Sequence, residues 1–120
     1  MDAKEQTRLM YPFKNDEAFE VFYTGMLCAY NCETERSIEL FRKAIDLEPD
    51  NTFAYMYLIM SLEFSKNSTE EERKNLCDKW LSVAEQSGNK TQVTRAVYAI
   101  DFYKMTPEER KEMFKDVKTN

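Results

Sequence analysis

Residues 18–50 read AFEVFYTGMLCAYNCETERSIELFRKAIDLEPD, and the rest of the chain follows from how they are taken. Phe22, Met26, Ala29 and Tyr30 recur at i, i+4, i+7 and i+8, the spacing of one helix face. Val21, Thr24, Gly25 and Cys28 form a second face of smaller residues on the same helix. Residues 31–34 make a short polar turn, after which Ile38, Leu40, Phe41, Ala44, Ile45 and Leu47 resume helical spacing. The first helix therefore has two faces to bury. Its hairpin partner covers one, and further helices stacked alongside must cover the other.

Single residues in this stretch have definite tasks. Glycine inside a helix costs about 1 kcal/mol against alanine. Gly25 thus implies a close approach of the second helix, with the small Ser37 and Ala44 as expected neighbours. Phe41 is expected to fill the wedge between adjacent hairpins. Pro49 stops the second helix, and Asp50 and Asn51 stand ready to cap the next.

The run Val21-x2-Thr24-Gly25-x2-Cys28, then Ser37-x3-Phe41-x2-Ala44, then Pro49, resembles the tetratricopeptide repeat, a helix-turn-helix unit of about 34 residues. Val21, Thr24 and Cys28 are smaller than the family's residues at those places. A second unit carries Tyr55-x2-Leu58-Ile59-x2-Leu62, with Tyr55 lying 34 residues after Val21. Ile59 replaces the small residue, so that helix pair is expected to sit further apart. Cys77-x3-Leu81-x2-Ala84 echoes Ser37, Phe41 and Ala44, but Cys77 follows Ser37 by 40 residues, which puts an insertion in the polar stretch 65–71. Ser68 with Glu71, or Thr69 with Glu72, makes a capping box there, and Gly88 or Asn89 ends the helix. A third unit reads Arg95-x2-Tyr98-Ala99-x2-Phe102. Thr106-Pro107-Glu108-Glu109 starts the last helix, where Arg110, Phe114 and Val117 take the places of Ser37, Phe41 and Ala44. Arg110 departs from the pattern. This helix is expected to turn Met113, Phe114 and Val117 inward and to cap the stack with a charged outer face.

The resemblance covers roughly residues 16–118. It implies an all-α, right-handed stack of about three helical hairpins, an α-solenoid. The chain divides into an N-terminal extension, residues 1–14, and a helical-repeat domain, residues 15–120. Residues 2–10 suit a short helix, which Tyr11-Pro12-Phe13 breaks. Two arrangements remain open for the extension: it lies over the first hairpin with Tyr11 and Phe13 tucked in, or it is partly disordered. Asn15 caps the first repeat helix, with Asp16 and Glu17 in its first turn.

Composition narrows the function. A chain of 120 residues can hold one domain with a modest core. Two Gly and three Pro argue against a turn-rich β fold, while eight Phe, seven Tyr and seven Met suit stacked helices. The net charge of −5 arises in residues 1–60, with 6 basic and 11 acidic side chains, against 11 of each in residues 61–120. No basic patch emerges, so nucleic acid is not an expected partner. The first twenty residues lack the apolar run of a signal peptide, and the longest apolar run, 53–60, is too short to span a bilayer. A cytoplasmic location without membrane insertion is expected, and three Cys fit reduced thiols there. Asn67-Ser68-Thr69 and Asn89-Lys90-Thr91 match the glycosylation pattern and are read as chance.

The chain has no His, which removes the commonest general base and metal ligand. Cys28, Cys32 and Cys77 contain no C-x2-C pair, so they give little zinc signal, and Cys28 and Cys77 read as small core residues. Glu70, Glu71 and Glu72 read as the solvated first turn of a helix. No enzyme, metal or cofactor is expected.

The resemblance also implies a concave groove lined by the first helix of each unit, which receives a peptide or helix. The groove positions are Phe22, Met26 and Tyr30, then Phe53, Met56, Met60 and Phe64, then Ala96, Ile100 and Tyr103. Exposed, this stripe is larger than a monomer carries without purpose. It has three possible fates: a protein partner covers it, it is filled by residues 9–13 or by a second copy in a homodimer, or it is ordinary core at another register. Family members that grip acidic tails use Lys, Arg and Asn, whereas Phe22 and Met26 stand here, so capture is expected to be apolar and only weakly salt-dependent. The expected function is an adaptor or scaffold binding a hydrophobic peptide or helix. The alternatives are a small acidic escort chaperone for a hydrophobic client and a structural subunit of a larger enzyme assembly.

Overall fold

Side-chain oxygens set most of the helix starts in the computed structural model, which describes residues 1–115. Asp2 accepts from the Glu5 N–H at the head of α1 (Ala3–Met10), and Asn15 accepts from Ala18 at the head of α2 (Asp16–Tyr30). Asn51 serves Phe53 in α4 (Thr52–Phe64), Thr69 serves Glu72 in α5 (Glu70–Ser87), and Asn89 serves Gln92 in α6 (Lys90–Lys104). In α7 (Pro107–Lys115) Thr106 accepts from Glu109 at 3.2 Å and the Glu109 carboxylate accepts from the Thr106 N–H, closing the capping box. Only α3 (Thr34–Leu47), among the helices whose caps are described, lacks a side-chain cap.

The result is all-α among the described residues, with α2 packed on α3, α3 on α4, α4 on α5 and α5 on α6. Pro49 follows the end of α3, as its missing N–H requires. The core falls into two clusters that meet on α4. Ala54, Leu58 and Leu62 pack with Phe19, Phe22 and Met26 of α2 and Ile38, Phe41 and Ala44 of α3. Tyr55 and Ile59 pack with Cys77 and Trp80 of α5 and Ala96, Ile100 and Tyr103 of α6. Buried polar groups at these seams are matched: the Ser37 and Ser61 hydroxyls bond at 3.1 Å, and the Trp80 indole donates to the Gln92 carbonyl at 3.0 Å.

Several expectations change in detail. The close neighbour of Gly25 is Phe41, not Ser37 or Ala44: a Cβ at Gly25 would lie 2.8 Å from the Phe41 ring and 3.3 Å from the Leu40 Cβ. The glycine makes room for an aromatic ring that must reach Phe22 and Tyr57, at 5.7 Å from each. Trp80, rather than Leu81, takes the inward place on α5, because the indole fills the space beside Tyr55 and bonds Gln92. In the third unit Tyr98 is exposed and Ala96 and Ile100 are buried, so α6 presents a different face than the repeat pattern implies. Arg110 is no misfit: it donates to the Phe102 carbonyl at 3.0 Å and pairs with Glu70 at 2.6 Å, tying α7 to α6 and α5. That bond holds the Glu70 carboxyl below the usual carboxylate range, so the tie is present at neutral pH and is lost only as pH falls through that depressed range. Met113 is largely exposed, while the inward placement expected of Val117 and of the Phe114 side chain lies outside the described residues.

The N-terminal segment folds over the first hairpin, with Phe13 buried. Its anchor is Glu48, a buried carboxylate that accepts from the backbone N–H of Lys14 at 2.9 Å and of Asn15 at 2.7 Å. Asn51 donates both to Glu48 and to the Pro12 carbonyl.

After α2 the chain turns through Cys32 at φ 63°, with Glu33 N–H on the Cys28 carbonyl and Cys32 N–H on the Ala29 carbonyl, a Schellman turn. A side chain there is strained by about 1–2 kcal/mol. Cys32→Gly should raise the urea midpoint at an unchanged slope, a gain of about 1 kcal/mol in stability. Gly25→Ala should lower stability despite its better helix propensity, because overpacking against Phe41 costs about 1–3 kcal/mol. Gain of stability in Gly25→Ala would show that the Phe41 ring yields freely.

Candidate functional site

One helix supplies the surface most open to a partner. In α4 the residues Phe53, Met56, Tyr57, Met60 and Phe64 recur at three and four along a face that neither core cluster fully covers. The N-terminal segment closes the first half of that face. Tyr11 lies edge-on to Phe22, Phe53 and Tyr57, with ring centroids at 5.8, 5.2 and 5.4 Å. The Tyr57 hydroxyl donates to that of Tyr11 at 2.9 Å. Burial first, and then this bond, push the Tyr57 phenol above its usual range, so it stays neutral.

The second half of the face is open. Met60 is 50% exposed, Phe64 79% and Tyr30, at the end of α2, 70%. Met60 and Phe64 form a ridge with an apolar hollow on each side. One hollow, of about 340 Å³, is lined by Ala29, Tyr30, Cys32, Ser37 and Tyr57. The other, of about 290 Å³, is lined by Ile59, Glu63, Ala99, Phe102 and Tyr103. The Tyr103 hydroxyl donates to Glu63, which fixes the floor of the second hollow.

The groove positions expected from the sequence therefore separate into three groups. Phe22, Met26, Ala96, Ile100 and Tyr103 are buried in the core, although Tyr103 still reaches the second hollow. Phe53 and Met56 are half-buried, Phe53 beneath Tyr11 and Met56 beside Gln92 and Arg95. Tyr30, Met60 and Phe64 remain accessible together. Tyr57 was missed, because the repeat pattern places no groove residue there, yet it stands between the covered and open halves. Glu48 was missed as well; its only signal was a carboxylate directly before the helix-stopping Pro49.

A wider cleft of about 730 Å³ lies between α3 and α5, floored by Tyr55 and Leu58 and crossed by the 2.6 Å Arg42–Glu72 ion pair. Nothing in the sequence pattern pointed to it. Among the described residues no group of three or more His, Cys, Asp or Glu is gathered to hold a metal, and no helix is long and apolar enough to cross a membrane. Cys28 and Cys77 are buried, and burial pushes the Cys77 thiol up to about 11, which keeps it protonated at neutral pH.

The chain matches no protein-family model, no curated protein and no solved structure. Its likeness to a helical repeat rests on the residues quoted above and on the stacking of its helices.

The open ridge and the filled end should respond differently to truncation. Phe64→Ser should change stability by less than about 0.5 kcal/mol, as exposed sites do. Phe22→Ala should cost about 3–5 kcal/mol. Thermal and urea unfolding of the two variants measure the difference, and a large loss in Phe64→Ser would make the ridge part of the core.

Proposed function

We propose that this chain is a protein-interaction adaptor of tetratricopeptide type, a right-handed stack of three hairpins without catalytic activity of its own. Its ligand is an apolar helix or extended segment of another protein. One observation carries the reading: Tyr30, Met60 and Phe64 are exposed together where the repeat pattern puts the groove, flanked by two apolar hollows. A monomer seldom presents so continuous an apolar surface without use. Methionine and aromatic side chains adapt to varied apolar partners, and two hollows beside one ridge suit successive apolar side chains one helical turn apart.

The test places a photo-cross-linking phenylalanine analogue at position 64, with a control at Lys79 on the rim of the other cleft. Position 64 is expected to give cross-links to an apolar segment of a second protein, and Lys79 none. Met60→Glu should abolish those cross-links while leaving the helical circular dichroism unchanged. Cross-links that survive Met60→Glu, or that arise equally at Lys79, would refute the reading. Unfolding of Met60→Glu would move Met60 into the core and refute it as well.

A further inference from the structure

The N-terminal helix is attached in an unusual way. It buries none of its residues, and Leu9 and Met10 are 69% and 64% exposed. Two solvent-exposed ion pairs hold it to α2, Lys4 with Glu20 at 2.6 Å and Arg8 with Asp16. Each cation also lies over a ring of α2, Lys4 over Tyr23 at 5.6 Å and Arg8 over Phe19 at 5.0 Å. Exposed pairs of this kind are weak and screened by salt. An isolated helix of eight residues has little stability of its own. Beyond Pro12 the situation reverses, because Phe13 is buried and Glu48 grips the Lys14 and Asn15 amides. The chain is firmly held after Pro12; before it, α1 itself is lightly held, and Tyr11 is the one side chain of this part that is seated among rings.

What lies beneath α1 is not an ordinary core face. It is acidic and aromatic: Asp16 and Glu20 alternate with Phe19 and Tyr23, and the Tyr11 socket of Phe22, Phe53 and Tyr57 adjoins it. This socket is continuous with the open ridge through Tyr57, which lines the first hollow. We propose that the surface under α1 and Tyr11 is a docking site for a basic, aromatic-bearing segment of a partner protein, and that α1 with Tyr11 is an intramolecular stand-in which that segment displaces. The bound stand-in states the recognition chemistry. Two cations one helical turn apart meet the α2 carboxylates and rings, and an aromatic side chain follows them into the socket. The inference rests on the reading of the α2–α4 face as a partner-binding surface, and it adds charge and an internal competitor to that reading.

The probe is a fluorescent synthetic peptide of residues 2–11 of this chain. The receptor is the full chain carrying Arg8→Glu and Tyr11→Ser, which releases its own α1. The released chain is expected to bind the peptide, with affinity falling as salt rises. The unaltered chain should bind it at least about tenfold more weakly, because its site is mostly occupied. A peptide carrying Lys4→Glu and Arg8→Glu should not bind. A released chain that keeps its helicity and binds the peptide no better than the unaltered chain overturns the proposal. Hydrogen exchange on the unaltered chain covers the case of misfolding: α1 amides should exchange at least about a hundredfold faster than those of central α2. Equal protection overturns the proposal. So does a stable dimer with exchanged N-terminal segments, which would assign the site to a second copy. Cross-links at position 64 that persist when the peptide fails to bind would remove this inference and leave the adaptor reading standing.

Discussion

The burial of α4 governs the molecule. Its thirteen residues carry a single charge, Glu63, so no side of it is suited to water alone. Such a helix is stable only between other elements. Here α2 and α3 cover one flank through Ala54, Leu58 and Leu62, and α5 and α6 cover the other through Tyr55 and Ile59. Neither half of the protein has a closed core without α4. The remaining face of this helix is left over from that demand, and its far end, at Met60 and Phe64, is open to solvent.

Packing decides how much of the leftover face stays open. A ring enters from residue 11 because the socket around Phe22, Phe53 and Tyr57 is deep enough to hold it edge-on. Towards the C-terminal end of α4 Met60 and Phe64 stay exposed, with Tyr30, the last residue of α2, exposed beside them. The same helix therefore passes from buried to exposed within three turns. Exposure and burial are separated along its length, and substitutions at Phe64 and at Phe53 belong to different problems.

Much of the architecture was legible because its signals are local. Asn15, Asn51, Thr69 and Thr106 cap the helices that their positions announced, and Gly88 ends α5 in the left-handed conformation. The pairing of the first two repeat helices followed from Gly25 and Phe41, although only the structure shows that the two residues touch each other. The site was legible in part. The resemblance implied Met60 and Phe64 as groove positions, and both are exposed, but it could not distinguish them from Phe22, which has the same character and lies under Phe13 and Tyr11. That outcome depends on where a remote segment of chain comes to rest. The rotation of α6 was hidden for a similar reason. Trp80 donates to Gln92 on the buried face of that helix, and a pattern of residue sizes carries no information about a hydrogen bond.

The junction at Glu48 joins the Pro12 to Asn15 entry into α2 to the end of α3 and the cap of α4, 33 to 39 residues further along the chain. A polypeptide emerging from the ribosome cannot complete it until Asn51 is out. Up to that moment residues 1–15 have no fixed anchor, and the socket that Tyr11 will fill lacks Phe53 and Tyr57. Residues 1–15 are thus held only once α4 has been made, although α2 and α3 can pair before it.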